Sequence, residues 1–139
     1  MIGILIIAHG TLGGSLIDCA KHVIGKKPPQ LEFLPVNNSD DLGSLLPQAI
    51  ALVKSLNTGE GVIVLSDMYG ATPCNTVGKL LEPGVVEGVA GLNLPMLVRT
   101  INYRHIPLLA LVEKAVSGGR EGVVHFSRES CERYDYNVQ

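Results

Sequence analysis

Apolar residues change their spacing repeatedly along this chain, from unbroken runs to helical intervals and back. Residues Ile2 to Ala8 form a near-continuous apolar run rich in isoleucine, the pattern of a strand buried on both faces of a parallel sheet. Beyond it Leu12, Leu16, Ile17, Ala20, Val23 and Ile24 recur at helical spacing, and Gly25 ends that helix before Lys26-Lys27-Pro28-Pro29. A second strand is read at Leu31 to Val36. Ser39 is placed to cap the next helix, with Asp40 and Asp41 in its first turn, and Pro47 either kinks that helix or marks its start. Gly61 to Ser66 reads as the third strand, and Thr72-Pro73 as the start of a helix running to about Leu81. Val85 to Ala90 is the fourth strand. Helices are then expected from Pro95 to about Tyr103 and from Pro107 to Val116, the latter ending at Gly118-Gly119, with a last short strand at Gly122 to Phe126.

Strands alternating with helices imply right-handed crossovers, and so an α/β fold with a doubly wound, mostly parallel sheet, for which a flavodoxin-like order 2-1-3-4 is expected. A length of 139 residues suits one domain, read here as residues 1–126, followed by a polar tail over 127–139. No repeat, linker or low-complexity tract marks a boundary.

Composition narrows the function classes. Hydrophobic residues make up 46% and charged residues 17%, which describes a well-buried interior and not a disordered chain. A net charge of -2 gives no broad attraction to nucleic acid or anionic lipid, so phosphate chemistry must come from a local site. The opening residues carry no basic segment, and the first apolar run is far shorter than the ~20 residues of a membrane span. A cytoplasmic protein without direct membrane insertion is expected. Cys19, Cys74 and Cys131 form no Cys-x-x-Cys pair, which favours reduced thiols, and Cys19 reads as a packing residue.

Two polar residues stand at the carboxyl ends of apolar strands: His9 after the first and Asp67 after the third. With strand order 2-1-3-4 these strands are neighbours and the direction of winding reverses between them, so both residues reach the topological switch point where open α/β sheets bind ligands. A carboxylate accepting one imidazole N–H fixes the tautomer and leaves the other nitrogen free as base, ligand or nucleophile. A lone strand-end histidine is more often satisfied by a backbone carbonyl; the loop after Asp67 tips the balance. There Met68-Tyr69-Gly70-Ala71-Thr72-Pro73 sets exposed amides and a helix N-terminus beside the carboxylate, a setting suited to an anion. A phosphoryl group on His9 would receive hydrogen bonds from those amides and from the Thr72 hydroxyl.

Other chemistries find less support. Gly10, Gly13 and Gly14 lack dinucleotide spacing, and there is no Walker loop or nucleophile elbow. His22, His105 and His125 read as structural or solvated, and no residues show metal-ligand spacing. No metal or organic cofactor is called for.

Four segments together resemble the mannose-type IIA component of the bacterial sugar phosphotransferase system. They are Ile7-Ala8-His9-Gly10, Ser66 to Asn75, Gly91 to Leu97 and Gly119 to Val123, covering residues 1 to about 126. The resemblance implies that His9 accepts a phosphoryl group from the carrier protein HPr and passes it to a IIB component. Asp67 would then orient the ring, Gly70, Ala71 and Thr72 would line the phosphate, and Gly10, Met68, Asn93, Leu94 and Pro95 would shape the surrounding loops. It implies a homodimer in which the strand Gly122 to Phe126 crosses to the partner. Thr72, Ala71 and Cys74 stand where serine, glycine and phenylalanine are common. No Ala/Pro-rich linker or IIB domain follows, which implies a free-standing protein serving transport or regulation. Three rivals stay open: the phosphotransfer subunit of a dihydroxyacetone kinase, a regulatory module switched by phosphorylation, and a small hydrolase using His9 as general base, for which no nucleophile is evident.

Overall fold

A computed structural model describes residues 1–37, 42–68 and 72–133, with the side chains of Leu42, Thr72, Pro73 and Cys74 left aside. Strand β1 (Gly3–His9) is buried from Gly3 through Ala8, as an apolar run demands when helices cover both faces of a sheet. It lies between β2 (Leu31–Val36) and β3 (Val62–Ser66), and β4 (Val86–Ala90) pairs with β3. All pairings are parallel, as the alternation of elements implied, and the order is β2-β1-β3-β4, as expected. Successive β1 side chains point to opposite faces. Ile4, Ile6 and Ala8 join a core with Ile63, Leu65, Ile17, Met96, Leu97 and Leu111, whereas Leu5 and Ile7 join Val62, Val64, Leu45, Ala49, Val77 and Leu80.

The first face carries helices α1 (Leu12–Ile24), α4 (Leu94–Asn102) and α5 (Leu108–Glu121); the second carries α2 (Leu42–Leu56) and α3 (Thr72–Leu80). Helix α1 ends where expected, with Gly25 left-handed at φ 93° and its N–H donating to Lys21 O. Its buried face is Gly13, Ile17 and Ala20, which turns Cys19 to solvent, contrary to the packing role expected of it. The proposed capping of α2 by Ser39, with Asp40 and Asp41, lies outside the described residues. Pro47 neither starts nor ends α2, which runs through it from Leu42.

Two expectations near the C-terminus are corrected. Helix α5 continues through Gly118-Gly119 to Glu121. The glycines are not terminators; they let α5 lie against α4, where a Cβ on Gly118 would sit 3.0 Å from Arg99 Cβ and one on Gly119 2.7 Å from Met96 Cε. Within the chain Gly122 to Phe126 forms no strand. It is an exposed irregular segment, with Val123, Val124 and Phe126 at 78%, 66% and 68% exposure, leading into α6 (Arg128–Arg133). An apolar alternation there found no paired edge within its own chain.

At the opposite, amino edge of the sheet, Arg104 is buried without a carboxylate. Its Nε and Nη2 donate to Ile2 O at 3.0 and 2.8 Å, Nη2 also donates to Gln30 O at 2.7 Å, and Nη1 bonds Pro29 O. Burial lowers its pKa to about 10. One guanidinium thus ties the starts of β1 and β2 together.

Candidate functional site

The carboxyl ends of β1 and β3 bring His9 and Asp67 together. The His9 ring Nδ1 lies 2.9 Å from Asp67 Oδ2, and because a carboxylate only accepts, the ring nitrogen is the donor. The same oxygen accepts the His9 backbone N–H at 3.1 Å, while Asp67 Oδ1 accepts the Met68 N–H at 3.0 Å. Three donors thus fix one carboxylate. The Asp67 side chain is only 11% exposed and that of His9 is 43% exposed, so the carboxylate is set back and the imidazole faces outward. Burial acts to raise the Asp67 pKa, but the hydrogen bonds from the His9 ring and backbone, the ring's charge and the local backbone N–H outweigh it and hold the carboxyl below its ordinary value.

The surrounding residues explain why the chain turns here. Gly10 takes φ 55°, a left-handed conformation that side chains disfavour, and its N–H donates to Val36 O at 2.9 Å. This ends β1 and directs the chain into α1, whose cap position, Thr11, makes no side-chain bond. Met68 beside Asp67 is 58% exposed. The structure therefore gathers His9, Gly10, Asp67 and Met68 at one edge. Gly70 and Ala71 lie outside the described residues, as does the Thr72 hydroxyl, although α3 does begin at Thr72.

Asn93, Leu94 and Pro95 stand at the same edge, one strand further along at the end of β4. Leu92 N–H donates to Ser66 O at 3.0 Å, which joins their loop to the residue before Asp67. Asn93 caps α4: its Oδ1 accepts Met96 N–H at 2.9 Å, and Pro95 follows in the first turn, where no amide is needed. The family resemblance implied for Asn93 only a part in shaping the loop. It missed the second bond, from Asn93 Nδ2 to Gly119 O at 3.1 Å, which spans 26 residues and leaves no periodic trace.

The remaining histidines, His22, His105 and His125, are exposed. Among the described residues no three His, Cys, Asp or Glu side chains gather as a metal site, and no helix is long and apolar enough to cross a membrane.

Comparison with known proteins places this geometry in a family. The family model EIIA-man, described as the PTS system fructose IIA component, matches residues 3–116. The mannose-specific EIIAB component of the Escherichia coli phosphotransferase system is 31% identical over 137 residues, 95% of this chain and 42% of that protein. The chain thus spans less than half the length of that curated relative. The sorbose-specific EIIA component of Klebsiella pneumoniae is 24% identical over 107 residues, 76% of each chain. Component EIIA of the phosphotransferase system from Streptococcus agalactiae has the same fold, with a TM-score of 0.81 at 24% identity, covering 91% of this chain and 98% of that one. From its amino end through α5, and in the strand order that seats His9 beside Asp67, the chain belongs to the mannose-type family of phosphotransferase system IIA components.

Proposed function

We propose that this chain is a phosphohistidine carrier, accepting a phosphoryl group from HPr on His9 and passing it to a IIB component of a sugar phosphotransferase system. The observation that carries the reading is the His9–Asp67 pair, 2.9 Å apart at the switch point of the sheet. With Nδ1 committed as donor to Asp67, Nε2 holds the free lone pair and is the nucleophile. In the transfer, the P–N bond to the donor's imidazole breaks as the His9 Nε2–P bond forms. The donor leaves as neutral imidazole, and the positive charge arising on the His9 ring is balanced by Asp67, already ionised and held in place. Catalysis is then positioning and charge stabilisation, with no covalent work for other side chains. Gly70, Ala71 and the Thr72 hydroxyl are proposed to receive the phosphoryl oxygens. Gly10 and Met68 form the rim against which a partner protein docks, and the Asn93-Leu94-Pro95 loop flanks it. The transfer runs between aqueous proteins, which suits a cytoplasmic location.

The same reading includes a homodimer built through the segment Gly122 to Phe126. Three large apolar side chains stand exposed on it, and among the described residues only the isolated bridge from Glu82 to Val86 occupies the outer edge of β4. A strand from a second copy would cover both.

Intact-mass analysis tests the carrier reading. After incubation with phosphoenolpyruvate, enzyme I and HPr, the wild-type chain gains one acid-labile phosphoryl group and His9→Ala gains none. Failure of the wild-type chain to gain phosphate from active donors overturns the reading.

A further inference from the structure

The C-terminal segment leaves the fold at the same edge as the candidate site, and one side chain joins the two. Helix α5 starts near Gly61, at the amino edge of the sheet, where a Cβ on Gly61 would lie 3.0 Å from Leu108 Cδ2. It ends at Glu121 beside the β4–α4 loop. That last turn packs on α4 and on the loop before it. A Cβ on Gly122 would lie 2.5 Å from Pro95, and Arg99 bonds Ser117 Oγ at 3.2 Å and pairs with Glu121. Asn93 is the link between loop and helix: its Oδ1 accepts the α4 N–H of Met96 and its Nδ2 donates to Gly119 O. The loop is fastened in turn to Ser66 O, next to Asp67, through Leu92 N–H.

The geometry points to Asn93 as a positioning residue that fixes where the segment Gly122 to Phe126 departs, so that its root and the loop beside Asp67 form one rigid joint. The residue type argues for this as much as the distances. Capping alone needs only an acceptor, which serine, threonine or aspartate supply. A carboxamide offers an acceptor and a donor on one short arm, and here both are used. Three glycines over Gly118 to Gly122 remove the side chains that would hold α5 away. The inference concerns the root of the segment and does not rest on the carrier reading.

Two substitutions separate the joint from the cap. Asn93→Asp keeps the acceptor for Met96 N–H and removes the donor to Gly119 O, while Asn93→Ala removes both. Amide hydrogen exchange reads the result at Gly122 and Val123, whose N–H groups donate to Gly118 O and Arg120 O, at Met96, and at the core residue Ile63. In Asn93→Asp, exchange at Gly122 and Val123 rises by about fivefold, the factor one neutral hydrogen bond is worth, while Met96 and Ile63 keep wild-type rates. In Asn93→Ala, Met96 rises as well. Wild-type exchange at Gly122 and Val123 in Asn93→Asp overturns the joint, and so does an equal rise at Ile63, which reports global loosening.

Discussion

Asp67→Asn tests the site with almost no change of shape. The carboxylate accepts three N–H groups, two from His9 on Oδ2 and one from Met68 on Oδ1. An amide has one accepting oxygen and one donating NH2, so it satisfies one side and confronts the other. With the oxygen toward His9, the Met68 N–H faces an NH2 and the charge that balances a phosphorylated ring is gone. With the NH2 toward His9, the ring must accept through Nδ1, its proton moves to Nε2, and the nucleophilic lone pair is lost. Either orientation removes at least one charge-assisted bond, about 1.5–3 kcal/mol, which corresponds to a phosphorylation rate lower by about 10- to 150-fold. A time course of intact mass under a fixed HPr donor concentration measures it, and Asp67→Ala, which keeps the acceptor nitrogen without its orienting partner, should also be slowed. Phosphorylation of Asp67→Asn at the wild-type rate refutes the pairing argument.

The Asp67 carboxyl also sets a pH dependence. Its pKa is lower in the folded chain than in the unfolded one, so its stabilising contribution is complete above about pH 4 and is lost as pH falls through the folded value. The difference in urea midpoint between wild type and Asp67→Asn should therefore hold steady above about pH 4 and shrink as pH falls below it; a difference that stays constant throughout contradicts the assignment. At the other edge, Arg104→Met strips donors from the carbonyls of Ile2, Pro29 and Gln30 while relieving one buried charge. A net loss of about 2 kcal/mol or more is expected, lowering Tm by about 5 °C, and an unchanged melting curve refutes the clamp.

Much of this arrangement is legible before any coordinates. The Ile2 to Ala8 run declares a strand covered on both sides because burial on two faces removes the need for alternation. The alternation of strands and helices declared a parallel sheet, and the expected order 2-1-3-4, which crossovers alone do not fix, is the one that lets His9 and Asp67 meet. The misreadings share one cause: a local signal outweighed by a distant neighbour. Gly118-Gly119 reads as a helix stop, yet the pair serves close packing against Met96 and Arg99. Gly122 to Phe126 has strand composition without a strand beside it in its own chain. Cys19 sits within a helical apolar pattern but one position off its buried face. Arg104 gives no signal at all, since a charged residue in a turn between helices ordinarily points to water and here reaches backbone 74 residues or more away.

Pro35 has a consequence for assembly. Residues of β2 alternate between facing β1 and facing outward, and the bonds Ile4 N–H to Gln30 O and Gly10 N–H to Val36 O assign the even-numbered residues to β1. Pro35 therefore points its missing N–H to the outside, where it breaks no pairing and denies a donor to any incoming strand. On β4 the outward residues are Val86, Gly88 and Ala90, and among the described residues only the isolated bridge from Glu82 to Val86 occupies that side. One margin of the sheet is interrupted at Pro35, and the other carries no proline. In the homodimer proposed above, two copies joined through the β4 margin would fill it for each other, which would favour a closed pair over an open chain of copies.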